Sequence, residues 1–272
     1  MSSLISVFSD NQFKPMASES YVDSKIQEAI SSSELPSFYG YTDKPFNFAG
    51  KTVYFFGDSI CEGHTGSGVT QNNYVNLFKN KVGCTAVNRG QGGACFSYTY
   101  NGVPSIVDRI KATTLTNVDA IIIEGGINDW QTNATSTQLE TALDDLATWL
   151  STNYTGKVVV ITPINTTWSR SVSMTVPQVR KIMERWAIQH GYSLILGEQF
   201  NFPSEAGVLS GILLGDGLHP SEAGYELFAK NLVYALVGSE GIPMCPTTTD
   251  GTYTLQCVVS DGTPTYSWVA QS

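Results

Sequence analysis

Between residues 48 and 238, short apolar runs alternate with longer stretches of helical periodicity. The apolar runs are Thr52–Phe56, Thr85–Val87, Ala120–Ile123, Val158–Ile161 and Ser193–Leu196. The helical stretches are Tyr74–Lys81, Ser105–Lys111, Gln138–Leu150, Val176–His190 and Ala223–Val237. Runs that are short and apolar at consecutive positions suit strands buried on both faces. A strand–helix alternation of this length closes through right-handed crossovers. The expected fold class is therefore α/β: a three-layer α/β/α sandwich around a five-stranded parallel sheet.

Two flanking segments break the pattern. Residues 1–47 are rich in Ser and hold one amphipathic stretch, Ser18–Ser32, with Val22, Ile26, Ala29 and Ile30 on one helical face. Pro36 and the aromatics Phe38, Tyr39, Tyr41, Phe46 and Phe48 follow it. A helix this short is marginal in water, so its stripe needs a partner. That partner is either the neighbouring domain or copies of the same helix, and the homo-oligomer expected in the second case is a trimer. In residues 239–272, Tyr253, Leu255, Cys257 and Val259 share one face of an extended run. Asp261-Gly262 signals a turn, and Thr265–Val269 resumes the pattern. The expected organisation is an N-terminal helical and linker segment at 1–47, a central α/β domain at 48–238 and a C-terminal β-hairpin module at 239–272.

Composition narrows the partners. The 272 residues carry a formal net charge of -9. A field of that sign repels phosphate backbones and anionic headgroups, so neither nucleic acid nor a membrane surface is an expected partner. No apolar run approaches a membrane span. Met1–Pro15 lacks the basic start and apolar stretch of a secretory signal. The expected location is thus the cytoplasm, or a virion or extracellular site reached by another route. Cys61, Cys84, Cys95, Cys245 and Cys257 form no CxxC or Cys/His ligand spacing. They read as reduced thiols, with a Cys245–Cys257 bridge left open, and neither metal nor cofactor is expected.

In an open parallel sheet, ligands gather beyond the carboxyl ends of the strands. Gly57-Asp58-Ser59-Ile60 follows the first strand and presents a serine hydroxyl at that edge. Asn88-Arg89-Gly90-Gln91-Gly92-Gly93 follows the second, where glycines let backbone N–H groups approach a ligand. Glu124-Gly125-Gly126-Ile127-Asn128-Asp129-Trp130 follows the third and can offer the Asn128 amide to a reacting oxygen. Asp216-Gly217-Leu218-His219-Pro220 precedes the last helix, and an Asp three residues before a His can fold back onto its Nδ1. Taken singly, each is equally well a turn, a helix cap or a surface pair. Together they supply a nucleophile, a base, its orienter and donors for a negative oxygen.

These four blocks, in this order, resemble the SGNH hydrolases, also called the GDSL esterase and lipase superfamily, over about Lys51 to Val237. The resemblance implies a flavodoxin-like sandwich and a triad of Ser59, His219 and Asp216. It also implies an oxyanion hole made by the N–H groups of Ser59 and Gly93 and the side chain of Asn128. Gly92 is the alternative to Gly93. Trp130, His64 and Trp168, with Tyr98 and Tyr100, fall in or near the same loops, where aromatic faces can stack on sugar rings as readily as pack in the core. Asp108 and Arg109 read as an ordinary structural pair, and Asp58 and Asp129 as supports for the adjoining turns.

The expected activity is hydrolysis of short acyl esters, acetyl foremost, on a small ester or an acetylated glycan. A lipase or lysophospholipase of the same superfamily is the alternative within the class. A different class is also open. Tyr21–Ile26 resembles stretches near the N-termini of phage tail and fibre proteins, and Gly251–Ser272 resembles short modules of phage and gut-bacterial surface proteins. A virion tail or fibre component that binds glycans is the corresponding expectation.

Overall fold

The computed structural model describes residues 46–167, 172–200 and 211–237, together with the backbone of strands at 5–9, 12–17, 253–260 and 263–270. The chain divides into two compact units, Met1–Phe38 and Tyr39–Ser272. In the first unit, β1 (Ile5–Ser9) and β2 (Gln12–Ala17) form an antiparallel pair that the sequence pattern did not announce. The amphipathic stretch Ser18–Ser32 lies outside the described residues.

In the second unit the alternation becomes a doubly wound sandwich. Its strands are β3 (Thr52–Gly57), β6 (Thr85–Gly90), β7 (Ala120–Glu124), β8 (Lys157–Ile161) and β9 (Ser193–Ile195). They pair in parallel in the order β6-β3-β7-β8-β9. Every residue of β7 is buried, as its run of isoleucines requires of a central strand, whereas β6 is an edge strand with exposed positions. The short antiparallel pair β4 (His64–Thr65) and β5 (Gly68–Val69) precedes the helix at Tyr74–Val82.

Helices flank the sheet. On one side α2 (Tyr74–Val82) packs against α7 (Glu222–Val237), with the rings of Tyr74 and Phe228 4.3 Å apart. On the other, α3 (Ile106–Lys111), α5 (Ser136–Asn153) and α6 (Val176–Gln189) pack in series. The starts of these helices are encoded locally. Asn73 and Ser105 cap α2 and α3 through their side chains. Thr135 with Gln138, and Thr175 with Gln178, form reciprocal capping boxes that satisfy otherwise orphaned N–H groups at the starts of α5 and α6. Two one-turn helices, α1 (Ser59–Glu62) and α4 (Ile127–Gln131), follow β3 and β7 directly and carry the chemistry described below.

Cys61, Cys84 and Cys95 are buried free thiols. At the C-terminal end, β10 (Tyr253–Ser260) and β11 (Thr263–Ala270) pair antiparallel, and the register Ser260↔Thr263 leaves residues 261 and 262 between them. No helix among the described residues is long and apolar enough to cross a membrane.

Candidate active site

The strand order reverses direction at β3: the chain steps to β6 on one side and returns to β7 on the other. Crevices in such sheets open at that point, beyond the carboxyl ends of the strands. Ser59, Gly93 and Asn128 follow β3, β6 and β7 respectively and line one cleft of about 540 Å3, together with His64, Tyr100 and His219.

Ser59 is the first residue of α1, where Asp58 caps the helix by accepting the Ile60 N–H at 2.9 Å. Its Oγ lies 2.9 Å from His219 Nε2, and His219 Nδ1 lies 2.7 Å from Asp216 Oδ2. The other carboxylate oxygen of Asp216 accepts the N–H groups of Leu218 and His219 at 2.9 and 3.0 Å. Partial burial pushes the Asp216 carboxyl up. The bonds from the His219 ring and from the two backbone N–H groups outweigh it, and the group is held below the ordinary aspartate value. Asp216 is therefore an anion at neutral pH and only accepts. Nδ1 carries the ring proton, and the Nε2 lone pair faces Ser59 Oγ.

The loop bearing His219 is held from several sides. Thr166 Oγ1 and Thr167 N–H both donate to the carbonyl of Gly217, at 2.9 Å each. Leu214 N–H donates to the carbonyl of His219 at 2.8 Å. Tyr225 of α7 donates to the carbonyl of His64 at 2.9 Å, which anchors β4 at the cleft mouth. The rings of His64 and His219 are 4.5 Å apart.

The donors around Ser59 are positioned by a second set of bonds. Glu62 Oε2 accepts the Gly92 N–H at 2.9 Å. That N–H is thus committed, while Gly93, in the left-handed region at φ +78, turns the next peptide along the cleft. The Asn128 amide gives one proton to the carbonyl of Ala94 at 3.1 Å and has a second for the cleft. Asp129 accepts the N–H groups of Phe96 and Ser97 at 2.9 Å each, which ties α4 to the loop after β6. Gly90 lies hard against α1: a Cβ there would lie 2.2 Å from the backbone nitrogen of Glu62.

Beneath this turn lie three fully buried carboxyls. Burial pushes Asp58 up to about 7, with Asp129 raising it further, and pushes Glu124 far above the carboxylate range, with Asp58 raising it further. Burial also raises Asp129, against the bonds it accepts from Ser97 and Phe96.

Several sequence expectations change here. Trp130 is 4% exposed and packs in the core, so it has no free face for a sugar. Trp168 lies outside the described residues. Asp108 and Arg109 do not pair: Asp108 accepts from Ser105 Oγ, and Arg109 reaches the carbonyl of Gly57 at 3.1 Å, at the end of the serine-bearing strand. The roles of Glu62 and Arg109 depend on contacts across the fold and left no local signal. Among the described residues no cluster of three or more His, Cys, Asp or Glu could hold a metal ion.

Solved structures share this fold. The lipase/acylhydrolase from Enterococcus faecalis is 21% identical, with a TM-score of 0.56 over 69% of this chain and 96% of that one. A catalytic mutant of Axe2, an acetylxylan esterase from Geobacillus stearothermophilus, is 19% identical, with a TM-score of 0.52 over 71% and 96%. The native aryl esterase of M. smegmatis is 17% identical, with a TM-score of 0.54 over 69% and 100%. At these identities the likeness is one of fold. No curated protein matches the chain in sequence. Residues 55–227, a span that includes Ser59, Asn128, Asp216 and His219, match the GDSL-like Lipase/Acylhydrolase family, and the chain belongs to that family of carboxylic ester hydrolases.

Proposed function

We propose that this protein is a serine esterase that removes short acyl groups, acetyl foremost, from a carbohydrate. The observation that carries the reading is the unbroken line Ser59 Oγ–His219 Nε2 and Nδ1–Asp216 Oδ2 at 2.9 and 2.7 Å, opening into a cleft. His219 Nε2 takes the proton from Ser59 as Oγ attacks the ester carbonyl, and Asp216 stabilises the imidazolium that forms. The carbonyl oxygen, now negative, is received by the N–H groups of Ser59 and Gly93 and by the free proton of the Asn128 amide. Collapse of this intermediate breaks the ester C–O bond, and the departing alkoxide takes the proton from Nε2. Water, deprotonated by the same nitrogen, then releases the acid and restores Ser59.

The cleft supports the short acyl group. Most of the residues that line it have polar side chains, among them Gln131, Thr132, His64 and Asn128, and Leu218 is the only aliphatic one among the described residues there. An eight-carbon chain would gain little there, at roughly 0.8 kcal/mol per buried methylene elsewhere. Tyr100, 39% exposed at the rim, offers a face to a sugar ring. The acetylxylan esterase of the same fold acts on a substrate of this class by its name. The test is a chain-length series of aryl esters, followed by acetylated polysaccharides. The expected result is a kcat/KM that falls from acetyl to octanoyl, with acetate released from the polymers. A preference for octanoyl would make the protein a lipase.

A further inference from the structure

A second groove lies at the opposite pole of the sheet from Ser59, at the amino-terminal ends of β7 and β8. Its volume is about 670 Å3, and its walls are residues 113–119, Trp149 and residues 152–156. A smaller groove of about 320 Å3 adjoins it, shares Tyr154, Thr155 and Gly156 with it, and extends to Tyr192. Three partly exposed aromatic side chains, Trp149, Tyr154 and Tyr192, therefore lie along one depression. The Tyr154 ring is laid across Gly156. A Cβ at that glycine would sit 2.5 Å from the ring Cζ, so only glycine there lets the ring lie where it does. His190 stacks on Tyr192 with ring centroids 5.7 Å apart.

The rest of the wall is hydroxyl and amide: Thr114, Thr116, Asn117 and Thr155 are exposed along it. The carboxylate of Asp119 is committed to the Lys51 ammonium at 3.0 Å and the Thr52 N–H at 2.8 Å. The chemistry selects the ligand. Flat apolar faces take the C–H side of a pyranose ring, and short polar side chains between them bond its hydroxyls. A polyanion would meet a protein of net charge -9, and an acyl chain would strand these hydroxyls without partners.

We propose that this groove binds a neutral oligosaccharide, remote from the catalytic cleft, so that the protein can hold a glycan chain at a second point. The inference does not depend on the role of Ser59. The test uses the full chain carrying Ser59→Ala, titrated with neutral cello-, xylo-, manno- and chito-oligosaccharides. It is read by tryptophan fluorescence and by backbone hydrogen exchange. The expected result is saturable binding of at least one series, with exchange slowed over residues 113–119 and 149–157. Trp149→Ala should weaken that binding by about tenfold or more. Thr155→Lys, at an exposed position shared by both grooves, should block it without touching the core. In the otherwise native protein, both variants should hydrolyse a small aryl acetate at the original rate. Protection confined to the Ser59 cleft, equal affinity in both variants, or a groove that takes peptides but no oligosaccharide would each overturn the proposal.

Discussion

Glu62 accepts the N–H of Gly92 at 2.9 Å, three residues after the serine and one residue before the glycine that faces the cleft. One side chain of α1 therefore holds the peptide immediately before the one that, in the proposed mechanism, receives the substrate oxygen. Glu62→Ala should lower kcat by about tenfold or more while leaving KM nearly unchanged, because the bond acts on a donor used mainly in the transition state. Glu62→Gln keeps an acceptor oxygen and should recover most of the loss. Steady-state kinetics of the two variants on one aryl acetate decide it, and equal damage in both would mean that the carboxylate serves only to pack.

Ser59→Ala should abolish ester hydrolysis and leave the melting temperature within a few degrees of the original, since the lost hydroxyl bonds only to His219 among the described residues. Asn128→Ala should be milder on turnover, by roughly 100- to 1000-fold, as for other oxyanion donors. It should also cost stability, because the carbonyl of Ala94 loses its partner. Initial rates and thermal melts of purified variants check both halves.

Stability should fall as pH rises from about 4 to about 7. Below the ordinary aspartate range, near 4, Asp58 is protonated in folded and unfolded chains alike. Between there and its folded value of about 7, the unfolded chain releases the proton and the folded chain retains it, so unfolding is favoured progressively. Glu124, raised by the same burial, acts in the same direction. Asp58→Asn keeps an oxygen for the Ile60 N–H and removes the titration. Its melting temperature should exceed that of the native protein at pH 8, with the gap closing toward pH 4. A gap independent of pH would show that Asp58 is not the group responsible.

Gly90→Ala should be damaging out of proportion to one methyl group. The added carbon would meet the backbone of Cys61 and Glu62, which cannot move without carrying Ser59 with it. The expected effects are a loss of about 1–3 kcal/mol, as for other overpacked sites, and a sharp fall in kcat. Denaturant titration and kinetics on the same preparation read the two effects.

Much of the sandwich could be read from the chain because its signals are local. Consecutive apolar residues gave the strands to within a few residues of their ends, and the shortfalls occur where the strand finishes on residues that look like turn. Gly57, Gly90 and Glu124 are each the last residue of a strand. The four polar blocks could be found for the same reason. Each follows a strand or precedes a helix, and the sheet brings them together. What could not be read depends on distance in the chain. Nothing near Arg109 says that it reaches Gly57, and nothing near Trp130 says that α4 turns its ring inward. Nothing near Gly92 says that its N–H is taken by Glu62, thirty residues earlier. The pair β1–β2 was missed because Pro15 and its polar neighbours weaken the strand signal.

The separation of 160 residues between Ser59 and His219 has a consequence for how activity arises during synthesis and refolding. The serine lies just past the first strand of the sheet, and the imidazole in the last loop before α7, so nearly the whole domain must be ordered before the two can meet. Closing so long a stretch is among the slow steps open to a chain of this topology. On the proposed mechanism, a nascent or partly refolded molecule would carry a serine with no base beside it and would be inert. The onset of hydrolysis marks the final docking event, later than any gain of helix or sheet, and a burst of refolding followed by optical spectroscopy should run ahead of one followed by turnover.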